Sequence, residues 1–301
     1  MQLFIIILAY GFFFFSFKEK GIHLKEYFQS TTSNSALSLV SSLSDEVKET
    51  SGLANFNDFL ITHNDRNNKN IIYVLEKNTG KIKARIKVSG AENKDWEDLA
   101  ESDEHLFIAD IGNNDGNRKD LKIYKINKSN ISFKDGDKVE VDEVIEFSYP
   151  GQQYFSSSKS HNFDGEALIY LNNSLYIFSK NREGNISKVY KIPANAGKYE
   201  AALIDKIEFS GSITGAALSP LQNTLALVGY NKKGNSFVYI ISDFKEDAFS
   251  SGQKKLITLG PFKQIGQTEG IVFEGNSTLY ISSEKIKNVE AKLYKLNLML
   301  N

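Results

Sequence analysis

Cysteine is absent from this 301-residue chain. Its absence excludes disulfides, thiolate metal ligands and a thiol nucleophile, and leaves a packed core to supply the stability. The chain holds only four prolines, one tryptophan (Trp96) and four histidines (His23, His63, His105, His161). So few imidazoles argue against a zinc centre. No long block of one charge sign occurs, with 36 basic residues against 37 acidic ones. Nucleic acid is excluded as a partner on that ground, because phosphate binding calls for a basic face. Also missing are the G-x-S-x-G elbow, the P-loop, G-x-G-x-x-G and H-E-x-x-H. A Ser-His-Asp arrangement assembles in space rather than in sequence, and His63 beside Asp65 or His161 near Asp164 would serve it. Solvated loop histidines are the plainer account of both.

What the chain has in quantity is Ile, Val, Tyr and Phe, with 12% aromatics, a mix that favours strands. Its one long apolar run, "LFIIILAYGFFFFSF" (3–17), is about fifteen residues, short of the roughly 20 a membrane helix needs and suited to a signal-peptide core. Residues 1–20 are therefore expected to be a signal peptide or a retained N-terminal anchor, 21–35 a linker, and 36–301 the folded domain. Export to the periplasm, cell surface or medium follows. Any membrane contact would run through an uncleaved N-terminal segment alone.

Five segments of the domain share one grammar: a small or acidic group, an apolar pair, a strand ending in a polar residue, then a strand rich in Ile, Val and Tyr. They are "ETSGLANFNDFLITHND…NIIYVLE" from Glu49, "DWEDLAESDEHLFIADIGNN…LKIYKI" from Asp95 and "NFDGEALIYLNNSLYIFSKNR…SKVYKI" from Asn162. "SITGAALSPLQNTLALVGYNKKGNSFVYII" from Ser212 and "QTEGIVFEGNSTLYISSEK…AKLYKLNL" from Gln267 complete the set. A further alternating segment follows in the first four units: "GKIKARIKV", "VEVDEVIEFSY", "AALIDKIEF" and "QKKLITLG". Four short strands per unit, recurring at about fifty residues, describe the blades of a β-propeller. The fifth unit lacks its last strand, and "ALSLVSSL" (36–43) is a strand without a unit. Closing the ring with that early strand removes two open sheet edges. The expected fold is all-β, a single-domain propeller of five four-stranded blades. A sixth degenerate blade, using the longer interval around "PGQQYFSSSKSHNF", and a β-sandwich are the alternatives.

Rotational copies bring equivalent positions together. The polar residue near the start of each first strand is Glu97, Glu166 and Glu269 in units two, three and five, Thr214 in unit four, and Glu49 or Ser51 in unit one. Second strands end on His63 to Asp65, Asp110, Lys180 with Asn181, Tyr230 with Asn231, and Glu284. Clustered carboxylates must be neutralised by a cation, by Lys180 and Arg182, or by protons. Oxygen-only ligands suit a hard ion, calcium before magnesium. Glu97, Glu166, Glu269 and Asp110 are the candidate metal ligands, with Glu166 or Glu269 as candidate catalytic base. Lys180 and Arg182 would take an anionic ligand, with His63 and Trp96 at the wall of the cleft. The competing account is structural: the glutamates accept main-chain hydrogen bonds from neighbouring blades, Trp96 packs between blades, and "DIGNN" (110–114) is hairpin chemistry resting on Gly and Asn at positive φ.

Through "DWEDLA…LFIADIGNN…DLKIYKI", "FDGEALIYLNNSLYIFSKN" and "TEGIVFE…LYISSEK…AKLYKL", the chain resembles a group of uncharacterised secreted bacterial propeller proteins from about Glu49 to Leu296. More distantly, through E-x-S-G-L and E-G-I, it is similar to propellers of the SdiA-regulated and esterase-like phytase type. The resemblance implies the fold and export, and no reaction. The functions to weigh are three. The first is an exported, monomeric propeller binding a small-molecule or cell-surface ligand, with a divalent cation, at its axial mouth. The others are a metal-dependent phosphoester or lactone hydrolase and a protein-interaction scaffold.

Overall fold

The computed structural model describes residues 37–180 and 185–298. The proposed signal peptide or anchor, the linker and Arg182 lie outside the described residues. Twenty-two strands form five sheets arranged as the blades of a propeller, with only short helical turns between them. Their inner strands are Thr50–Phe56, Trp96–Glu101, Gly165–Leu171, Ser212–Leu218 and Gln267–Glu274. Each pairs antiparallel with the next strand of its own sheet.

The early strand Leu37–Ser42 closes the ring. It pairs antiparallel with Lys292–Asn297 and so becomes the outer strand of the fifth blade. Five blades stand and no sixth is present among the described residues. The strand count per blade differs from expectation. Blades three, four and five have four strands, but blades one and two have five. "VEVDEVIEFSY" divides: Lys138–Glu140 joins blade one in parallel beside Ile82–Ser89, and Glu143–Ser148 is the outer strand of blade two. Gly197–Glu200 likewise adds in parallel to Glu143–Ser148. Each long approach to an outer strand thus runs along the preceding blade and covers an edge that would otherwise template aggregation.

Both faces of every sheet are buried because the alternating apolar residues of one blade pack on the next. Ile61, Val74 and Ile86 of blade one meet Trp96, Ile108 and Tyr124 of blade two. Four equivalent clusters follow, the last joining Leu53, Leu60 and Tyr73 to Val272, Tyr280 and Leu293 across the closure. Each fully buried aliphatic side chain of this kind contributes about 1.5–3 kcal/mol.

The inner strands have no sheet neighbour on the axial side, so side chains must satisfy their main-chain groups. Asp98 does most of this. Its carboxylate accepts the N–H of Leu99 (2.8 Å), of Leu168 in blade three (2.9 Å) and of Ala216 in blade four (3.2 Å). Thr214 donates to Thr268 O at 2.8 Å, Ser51 to Glu97 O, and Ser282 to Ser51 O. Gly52 faces the backbone of Asp98 and Leu99 so closely that a methyl group would collide with it.

Candidate functional site

Each inner strand carries an irregularity near its start, and in every blade it falls on the residue marked by the repeat. Register skips Glu97 between Trp96 and Asp98, Glu166 between Gly165 and Ala167, and Thr214 between Ile213 and Gly215. In blades one and five it skips Ser51–Gly52 and Glu269–Gly270. A bulge re-aims its side chain. Here it turns Ser51, Glu97, Glu166 and Glu269 into one cavity of about 290 Å³ at the axis. Asp65, Arg66, Asn114, Lys180, Tyr230 and Gln267 complete its wall.

Carboxylate oxygens converge there in two groups, Asp65–Asp95–Glu97 and Glu97–Asp164–Glu166, each with its oxygens within 4.8 Å of one another. The ring glutamates do not lock blades: among the described residues no main-chain N–H of another blade is bonded to Glu97, Glu166 or Glu269. That work falls to Asp98, Ser51 and Thr214. Glu166 is 2% exposed and pairs with Lys180 Nζ through Oε2 at 2.8 Å, but its Oε1 finds no donor among the described residues. Asp95 has the same lack. Asn114 donates to its Oδ2 at 3.3 Å and its Oδ1 is buried without a partner. Glu269 stands apart from both groups, half-buried, accepting from Gln267 Nε2 at 2.6 Å.

Electrostatics follow from this crowding. Burial pushes the Glu97 carboxyl well above its ordinary value, and the charges of Glu166, Asp65, Asp95 and Asp164 push it further. Glu166 is also raised, by burial first, with Lys180 opposing and Asp164 adding. Burial and Glu284 raise Glu269. Burial, then Asp65, brings Asp95 to about 6, and burial with Asp65 and Glu49 brings Glu284 to about 7. For Lys180 burial works against the charge, yet Glu166, Tyr230, Glu269 and Glu97 together hold its ammonium well above the normal value. A hard cation would displace the protons these acids hold, and all the donors are oxygen, which fits calcium.

Three predicted residues lie elsewhere. Asp110 is fully buried behind the cavity, where its Oδ1 accepts from Arg118 Nη1 and from the N–H of Asp95, both at 3.0 Å. It positions the Asp95 main chain and reaches neither carboxylate group. His63 and Trp96 are sealed in the interface of blades one and two, ring edge to face at 5.5 Å. The Trp96 indole N–H donates to Glu92 O, and burial lowers the His63 imidazole to about 4. Neither side chain lines the cavity. Neighbouring residues of a strand point to opposite faces, so the turn of Glu97 toward the axis sends Trp96 into the blade interface.

Asp65, Asp95 and Asp164 join the site beyond the expected ligands. A signal for two of them is present: Asp95 and Asp164 each stand two residues before a ring glutamate, and Gln267 holds that place before Glu269. The "DIGNN" segment supports the site by contact rather than through positive φ. Gly112 faces Glu97 Oε1 and the Asp95 carboxylate so closely that no side chain fits there. Asn113 N–H donates to Asp164 Oδ1 at 2.6 Å, and its side-chain amide to Phe163 O.

No model of a known protein family matches the chain, and no curated protein matches its sequence. Solved structures do resemble it. The PQQ-bound aldose sugar dehydrogenase of Streptomyces coelicolor is similar with a TM-score of 0.51 and 11% identity, over 87% of this chain and 98% of that one. A putative oxidoreductase (glucose dehydrogenase) of Thermus thermophilus gives 0.47 and 8%, over 87% and 99%. A gluconolactonase of Xanthomonas campestris gives 0.43 and 11%, over 88% and 90%. At such identities the likeness shows the fold alone, and that fold is the β-propeller.

Proposed function

We propose that the protein is an exported β-propeller that binds a divalent cation, calcium before magnesium, and a small anionic ligand at its acidic axial mouth. One observation carries the reading. Carboxylates from three blades converge within ion-binding distance while, among the described residues, Glu166 Oε1 and Asp95 Oδ1 lie buried without a donor. A buried carboxylate oxygen without a partner is costly, and a cation removes that cost. Lys180 and Tyr230 at the cavity wall would meet the anionic end of a ligand. Thermal melting of the purified chain with calcium, magnesium and EDTA tests the cation. A midpoint that rises by several degrees with calcium and falls with chelator is the expected result, since ligands of the native state stabilise by mass action. An unchanged midpoint together with no bound metal by elemental analysis sinks it.

A metal-dependent phosphoester or lactone hydrolase is the second reading, favoured by one specific feature. Glu269 lies outside both ion-binding groups, has its acidity weakened by burial, and faces the same cavity, so it is placed to take a proton from water. A phosphatase, phosphodiesterase and lactonase panel decides. Turnover lost in Glu269→Gln with the melting midpoint kept would favour the enzyme, and no turnover by the natural sequence would remove it.

A further inference from the structure

We propose that the acidic mouth is a two-ion centre in which Glu97 is the shared ligand. The inference rests on the cation reading above and goes beyond it in number and arrangement. The two carboxylate groups overlap in Glu97 alone. Ligand oxygens on one calcium lie within about 5 Å of one another, twice the metal–oxygen distance, and each group meets that limit by itself, so each can hold an ion of its own. Each group also carries its own sign of a missing partner. Among the described residues Asp95 Oδ1 is the buried orphan of the first, and Glu166 Oε1 that of the second, on residues 5% and 2% exposed. One ion would satisfy one orphan. Two satisfy both.

A single loop sets both halves: Gly112 makes room for Glu97 and Asp95, and Asn113 N–H anchors Asp164. The two ligand sets are therefore held in fixed relation, as ions sharing a carboxylate require.

Equilibrium dialysis of the full chain against calcium, after chelator treatment, reads the count directly. Two ions per chain are expected. Asp95→Asn and Asp164→Asn should each retain one, while Glu97→Gln should weaken both by tenfold or more, with circular dichroism confirming the fold of each variant. The natural chain alone settles the count should a variant fail to fold. One ion per chain overturns the two-ion centre and leaves the cation reading standing. No ion at millimolar calcium or magnesium overturns both. Two ions retained by folded Asp95→Asn or Asp164→Asn would overturn the ligand assignment.

Discussion

The two ends of the propeller channel are built from the same five strands and treat their acids in opposite ways. At the far mouth, a cavity of about 980 Å³ lined by Asn55, Glu101, Lys128, Tyr170 and Asn173, the largely buried acid is Glu101. It has a full set of partners: Lys128 Nζ at 3.1 Å on one oxygen and the Asn55 N–H at 3.1 Å on the other. At the near mouth five carboxylates crowd together, and among the described residues Glu166 Oε1 and Asp95 Oδ1 have no donor. Glu101 needs nothing from outside the chain. The acids left short of partners at the near mouth are the candidates for the ion proposed above. Asp98 marks the division between the ends, buried at the ring where the inner strands meet and bonded to three blades.

The strongest way to break the comparison is to remove that divider. Asp98→Ala strands three buried N–H groups and should cost on the order of 3–5 kcal/mol, read by chemical denaturation. A small loss would mean that the inner edges are held by other contacts. Gly112→Ala acts on the near mouth alone. Its methyl group would meet Glu97 and Asp95, so calcium affinity should fall at least tenfold, about 1.4 kcal/mol, with circular dichroism unchanged. Undiminished affinity would place the ion elsewhere.

A pH series sharpens the contrast further. Asp95 at about 6 and Glu284 at about 7 bind protons more tightly in the folded chain than their ordinary values of 3.8 and 4.5 allow when unfolded. Over that window the folded state holds the extra protons, so its stability must fall as pH rises. The melting midpoint in EDTA should drop by several degrees between about pH 5 and pH 8, and calcium should flatten or reverse the slope because ion and proton compete. Acids lowered by surface partners, such as Asp120 at about 2, titrate below the window and leave the sign unchanged. A midpoint rising with pH in EDTA would contradict the crowding. The smallest effect belongs to the far mouth. Glu101→Gln should cost about 1 kcal/mol or less and leave calcium affinity as it was.

Much of this architecture is legible in the residues because a repeat states the same fact five times. Unit spacing gives the blades, the stray strand at 36–43 gives the closure, and the aligned acids Glu97, Glu166 and Glu269 reach one cavity. What escapes is decided by direction rather than composition. Alternation covers Val139 and Glu140 within "VEVDEVIEFSY" but cannot say that they pair with the preceding blade, and Gly197–Glu200 falls outside every strand read from the repeat. His63 and Trp96 have the chemistry of a binding wall, yet strand pleating buries them between blades. Asp110 looks like the ligands beside it, and only the approach of Arg118 from eight residues downstream shows that its charge is already matched.

Ring closure sets a rule for assembly. Leu37 lies against Leu296 and Ser42 against Lys292, so the neighbour of the earliest strand is the last of the blades to be synthesised. Contacts spanning some 250 residues form slowly because the intervening chain must first be brought to order. Until then the partly made molecule carries two unpaired borders, and a break in translation anywhere before residue 297 would leave it open and adhesive.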